Sequence, residues 1–215
     1  MANQAKIPNA NKGDEMEKVL AFHFSQANKK LQYGDGRMMK TGRTHKVKCQ
    51  PILCKQGLHA SVRLIDALSY APGPYLWLVE LSGKVVRGDD KLVATERKYL
   101  GGFHADTLLR EFARKQALIN IEKIKPYCSD ADYDLINRWL LTGDIKLRSA
   151  AESEADSAAR SAAESAADSA AWSAAESEAE SEARAASWAA ARAASWAASN
   201  KMLTDMVRAK TGWNI

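Results

Sequence analysis

Residues 75–81, Tyr75-Leu76-Trp77-Leu78-Val79-Glu80-Leu81, decide the fold. Apart from Glu80, each is apolar or aromatic, and Pro72-Gly73-Pro74 stands just before them. A short, continuous apolar run behind a turn signal is the pattern of a strand covered on both faces. Such a strand belongs at the centre of a sheet.

Segments on either side extend that sheet. Val19-Leu20-Ala21-Phe22-His23-Phe24 reads as a strand with apolar character on both faces. Leu31-Gln32-Tyr33 leads into Gly34-Asp35-Gly36, a turn suited to a hairpin because glycine accepts positive φ. Thr44 to Cys49 alternates, and Pro51-Ile52-Leu53-Cys54 continues the same strand. Gly57-Leu58-His59-Ala60-Ser61 passes into a helix over 62–70, which Ala71-Pro72-Gly73-Pro74 ends. Lys91 to Leu100 alternates in part and supplies another strand.

Helices follow the strands. Residues 105–124 carry Leu108, Leu109, Phe112, Leu118 and Ile121 at helical spacing. Ser129, with Asp132 three residues on, caps a second helix that buries Leu135, Ile136, Trp139 and Leu140. Gly143 ends that helix, and Asp144 caps what comes next. Strands first and helices after define an α+β class. The architecture expected is a small mixed-sheet domain, then helices, then one long Ala-rich α-helix. Its divisions are a disordered leader over 1–17, an α+β domain over 18–143, and the long helix with a C-terminal segment over 144–215.

The tail from Ser149 to Ser199 is built almost wholly of Ala, Ser, Glu, Asp, Arg and Trp, repeating every four residues. Ala is the best helix former, and no Gly or Pro lies between Asp144 and Thr211. One column of the repeat contains Trp172, Trp188 and Trp196. A period of four advances about 40° per repeat around a 3.6-residue helix, so the three indoles share no face. Small residues between them allow close approach of neighbouring helices. The expectation is a homo-oligomer held through Trp172, Trp188 and Trp196.

Charge is divided unevenly. Residues 1–148 hold 25 Lys and Arg against 16 Asp and Glu, and residues 149–215 hold 6 against 10. The basic excess is modest and interleaved with acids, so nucleic acid is a minor expectation as a partner. Charges recur almost every turn of the tail, which excludes a membrane span there. Three cysteines and a polar start point to a reduced, cytoplasmic setting.

The run GLHASVRLIDALSYAPGPYLWLVELSGKVVRGDDKLVATER over 57–97, with LLTGDIKLRSAA over 140–151 and the Ala-rich tail, resembles a family of phage and prophage proteins. The resemblance implies a phage or prophage origin and a setting in the host cytoplasm. That family has no established activity, so no mechanism follows from it. The chain is also similar, more loosely, to the ADP-ribosyltransferase fold. The matching positions are His23 in FHFS, the GLHAS segment with His59 and Ser61, Tyr70, and Glu96 in ATER. That likeness implies catalytic roles for His23, Tyr70 and Glu96 and ligand contacts by His59 and Ser61. His23 and Tyr70 would hold nicotinamide adenine dinucleotide (NAD), and Glu96 would stabilise the positive sugar centre as nicotinamide leaves. A structural role competes at each position. His59 suits a packed turn, Tyr70 a core helix end, and Glu96 an exposed pair with Arg97 or Lys98.

His45, Cys49, Cys54 and His59 have the residue types of a zinc set. They fall on expected strands and turns, outside any compact CxxC knuckle, so no metal and no cofactor is expected. NAD enters only with the transferase-like reading. No phosphate-binding Gly loop, GxSxG or HExxH occurs. Whether the protein is an enzyme is left open. The leading expectation is a phage accessory protein that binds a host protein or small ligand and oligomerises through its helix. The second is a nucleotide-binding protein or enzyme with a transferase-like pocket. The third is a weak nucleic-acid binder.

Overall fold

The computed structural model describes residues 18–173 and 178–215, with side chains described outside 165–190. The expected leader over 1–17 lies outside the described residues. The chain divides into two compact units, one ending at His104 and the other beginning at Ala105. The class is α+β, with strands in the first unit and long helices in the second.

The first unit is a five-stranded sheet in the order β1 (Val19–Ser25), β4 (Tyr75–Arg87), β5 (Leu92–His104), β2 (Thr44–Lys46), with β3 (Leu58–Ala60) also paired to β5. Tyr75–Leu81 does lie in an interior strand, flanked by β1 and β5. Every pair is antiparallel, so the sheet is not mixed. A tight turn at Gly88, whose N–H donates to Lys91 O at 2.9 Å, joins β4 to β5 and makes parallel pairing impossible there. The expected strand over 44–49 stops at Lys46, and Pro51–Cys54 is no strand. Cys54 sits at φ 61° in a turn closed by Ile52 and Gln56, and Pro51 has no N–H for a ladder. The helix α1 (Leu64–Ser69) is shorter than the 62–70 expected and packs against β1.

Burial on β1 covers both faces, with Ala21, Phe22 and Phe24 all buried. Ala21, Trp77, Val79, Leu81, Ala94 and Tyr99 form one cluster on the inner face. Trp77 is its centre. Its indole N–H donates to Ser25 Oγ at 3.0 Å, and its ring meets Tyr99 edge-on with centroids 5.1 Å apart. Gly102 stands opposite Trp77 in the register. A Cβ at Gly102 would lie 2.5 Å from Trp77 Cε3 and 2.8 Å from Tyr75 Cε1.

The second unit contains α2 (Asp106–Ile119), two short 3₁₀ turns, α3 (Asp130–Thr142), α4 (Ile145–Ser173) and α5 (Glu178–Thr211). Helix α3 has the expected ends. Ser129 Oγ accepts from Asp132 N at 3.2 Å, and Gly143 takes the left-handed C-cap at φ 68°. Asp144 caps α4 by accepting from Lys146 N at 2.9 Å. Ala151 is fully buried with Ile121, Ile136 and Leu140. Leu203 and Val207 on α5 are also fully buried, and Ser199 Oγ lies 3.0 Å from Gln116 Oε1 on α2. Both described ends of the tail therefore pack within their own unit. On one straight helix Ala155 and Leu203 would stand about 70 Å apart, yet both belong to this compact unit.

The Trp77–Gly102 fit is directly testable. Gly102→Ala is expected to lower stability by about 1–3 kcal/mol through overpacking, read as a fall in the thermal melting point by circular dichroism. An unchanged melt would show that the ring has room to move.

Candidate functional site

The sheet unit carries an open cavity of about 570 Å³, within the range of small-molecule sites. His23 on β1, His59 on β3, Ser61, Tyr70 at the end of α1 and Arg97 on β5 all line it. The long connections contribute Lys30, Tyr33, Asp35 and Lys55, and the tight β4–β5 turn contributes Lys91. Backbone pairing fixes the wall between β1 and β3. Phe22 N donates to Ser61 O at 2.8 Å, and Ser61 N donates to Phe22 O at 2.9 Å.

Four of the five residues expected at a site by resemblance thus share this cavity: His23, His59, Ser61 and Tyr70. Glu96 does not join them. It lies next to Arg97 on β5, and alternation turns its side chain to the other face. Glu96 Oε1 accepts from Lys46 Nζ at 2.8 Å on the exposed surface. Tyr70 is half-exposed. Its hydroxyl donates to Asp90 Oδ2, and Lys91 Nζ sits 3.9 Å from its ring centroid. Trp196 is half-exposed on α5, whereas the side chains of Trp172 and Trp188 lie outside the described residues.

Arg97 is the residue that sequence reasoning missed. Only 2% of it is exposed. Its Nε and Nη2 donate to Tyr99 Oη at 3.1 and 2.8 Å, and Nη1 donates to the His59 carbonyl at 2.6 Å. No described carboxylate pairs with it. Three of its five N–H donors are therefore committed, and two remain. Burial pulls its pKa down, Tyr99 opposes that, and a guanidinium stays charged regardless. His45, itself buried, places Nδ1 3.2 Å from the same Tyr99 hydroxyl, while no described group bonds its Nε2.

The cavity is electropositive. Lys30, Lys55, Lys91 and Arg97 line it against one carboxylate, Asp35. That carboxylate is already clamped by Arg37 through two bonds of 2.6 and 2.7 Å, which hold its pKa below the usual range. The neighbouring Tyr70 first, then Cys54, push the Lys91 pKa up to about 12, so its ammonium persists. Burial first, then the Arg97 charge and His59, hold the His23 imidazole well below its ordinary pKa. Burial also lowers His59 and His45, with Arg97 contributing at both. All three imidazoles are neutral at pH 7, and the fixed positive charge comes from Lys and Arg.

The zinc types do not assemble. Cys54 and His59 both line the cavity, with Cys54 N donating to His59 Nε2 at 3.2 Å, but His45 is committed to Tyr99. Among the described residues no three His, Cys, Asp or Glu side chains gather as a metal site. No described helix is long and apolar enough to cross a membrane. No protein-family model, curated protein or solved structure matches the chain.

The depressed imidazoles dictate a pH response. The unfolded chain takes up protons first as the pH falls through about 6.5, so stability is full above that pH and is lost below it, down to the folded pKa values. The melting temperature is expected to fall between pH 7 and pH 5, and His23→Gln with His59→Gln should flatten much of that fall. A melting point independent of pH across this window would contradict the neutral, largely shielded imidazoles.

Proposed function

We propose that this protein is a phage-type accessory binding protein whose sheet unit captures a small anionic ligand, a phosphate or carboxylate compound, in the cavity above Arg97. The observation that carries this reading is the Arg97 guanidinium, buried without a carboxylate partner among the described residues. A buried charge is costly unless it is paired and hydrogen-bonded. An anion seated in the cavity would complete the pairing that Tyr99 and the His59 carbonyl leave unfinished. Lys30, Lys55 and Lys91 add attraction along the same walls. In the same reading the Ala-rich helices bring copies of the chain together, through Trp172, Trp188 and Trp196.

The second reading is a nicotinamide-nucleotide enzyme. Its support is that His23, His59, Ser61 and Tyr70 share one cavity. Glu96 points away, and the one lining carboxylate, Asp35, is engaged by Arg37. A group to stabilise a developing positive sugar centre is therefore lacking among the described lining residues, which favours binding over turnover.

Calorimetric titration of the full-length protein with inorganic pyrophosphate tests the reading. Binding is expected, and Lys30→Ala with Lys55→Ala should weaken it by roughly tenfold without changing the fold, since both side chains are exposed. Arg97→Lys should weaken it further, because an ammonium cannot reproduce the planar fork. No heat at millimolar pyrophosphate would overturn the proposal.

A further inference from the structure

Tyr33 lines the same cavity as Arg97 and yet is fully exposed, at 102%. It stands in a turn from Gln32 to Asp35, where Asp35 N donates to Gln32 O at 3.4 Å. Both central residues have positive φ, 59° at Tyr33 and 80° at Gly34. That is the mirror-image turn in which Asn-Gly or Gly-Gly is preferred at the centre. A bulky aromatic residue at its first central position is locally unfavourable. No described residue repays it, for the Tyr33 side chain makes no hydrogen bond, ion pair or ring contact within the described chain. The turn itself is braced. Arg37 grips Asp35 and also donates to Lys46 O at 3.0 Å, while Leu31 N donates to Arg37 O at 2.9 Å. A rigid turn therefore holds a bare aromatic ring at the rim of an electropositive cavity.

We propose that the ligand joins a planar ring to its anionic group, as a nucleoside phosphate does, and that Tyr33 is the platform on which that ring lies. A ring seated on Tyr33 presupposes the anion held in the cavity with Arg97, as proposed above. The phosphate enters toward the guanidinium and the ring stacks at the mouth. Stacking on one aromatic face is tolerant of which heterocycle lies there. The cavity thus selects ringed phosphates as a class and discriminates weakly among bases.

Three probes separate the parts: ribose 5-phosphate, adenosine monophosphate and uridine monophosphate, titrated into the full-length protein. Both nucleotides are expected to bind at least roughly tenfold more tightly than ribose 5-phosphate. Tyr33→Ala should erase that advantage and leave ribose 5-phosphate binding unchanged, and Tyr33→Phe should retain it. The exposed position leaves the fold intact in both variants. Equal binding of all three probes by the unaltered protein would overturn the ring platform while leaving the anion site standing. So would an advantage that survives Tyr33→Ala. Binding of none of them would overturn both.

Discussion

A guanidinium buried with no described carboxylate beside it is the constraint on which the sheet unit depends. Moving such a charge out of water costs several kcal/mol even after the surroundings relax. Here the Tyr99 hydroxyl accepts from two of its nitrogens and the His59 carbonyl from the third. The bond to the His59 carbonyl ties β5 to β3. His45 reaches the same hydroxyl from β2, and Trp77 on β4 packs edge-on against the Tyr99 ring. One charge thus organises four strands. It also sets the electrostatics of the cavity, because it helps keep His23 and His59 neutral. The result is a permanently basic site whose positive charge does not depend on histidine protonation.

Much of the sheet was legible in the sequence. The apolar run at 75–81 marks an interior strand because only burial on both faces tolerates it, and β1 reads the same way. Helix ends were legible wherever a side chain or a glycine caps them, as at Ser129 and Gly143. The site was legible only in part. His23, His59, Ser61 and Tyr70 do gather, but Glu96 was assigned to them although its neighbour faces inward. The signal was present in Glu96-Arg97-Lys98-Tyr99. An aromatic ring at 99 marks the inward face, and alternation then puts Arg97 inside and Glu96 outside. Arginine is so rarely buried that composition argues against reading it that way. Tyr33, Lys30 and Lys55 come from irregular connections, whose folded path no periodicity records.

The helical unit shows the same limit from another side. Propensity and capping foretell the helices, but not what their small residues touch. Ala151 and Ala158 are buried, and Ala151 lies against Ile121, Ile136 and Leu140. Small side chains there serve packing within the chain. In the last turns of α5, Leu203 and Val207 follow the Ala-rich repeat with larger apolar groups, and both are fully buried. Among the described residues the tail is anchored at its start by alanines of the repeat and at its end by larger apolar groups.

The central claim is that the cavity holds an anion paired with Arg97. Crystals soaked in tungstate, an electron-dense analogue of phosphate, test it most directly. The account predicts one anomalous peak in the cavity within hydrogen-bond reach of the Arg97 guanidinium. Tungstate bound only at surface lysines, or a protein carboxylate already seated on Arg97, would contradict it.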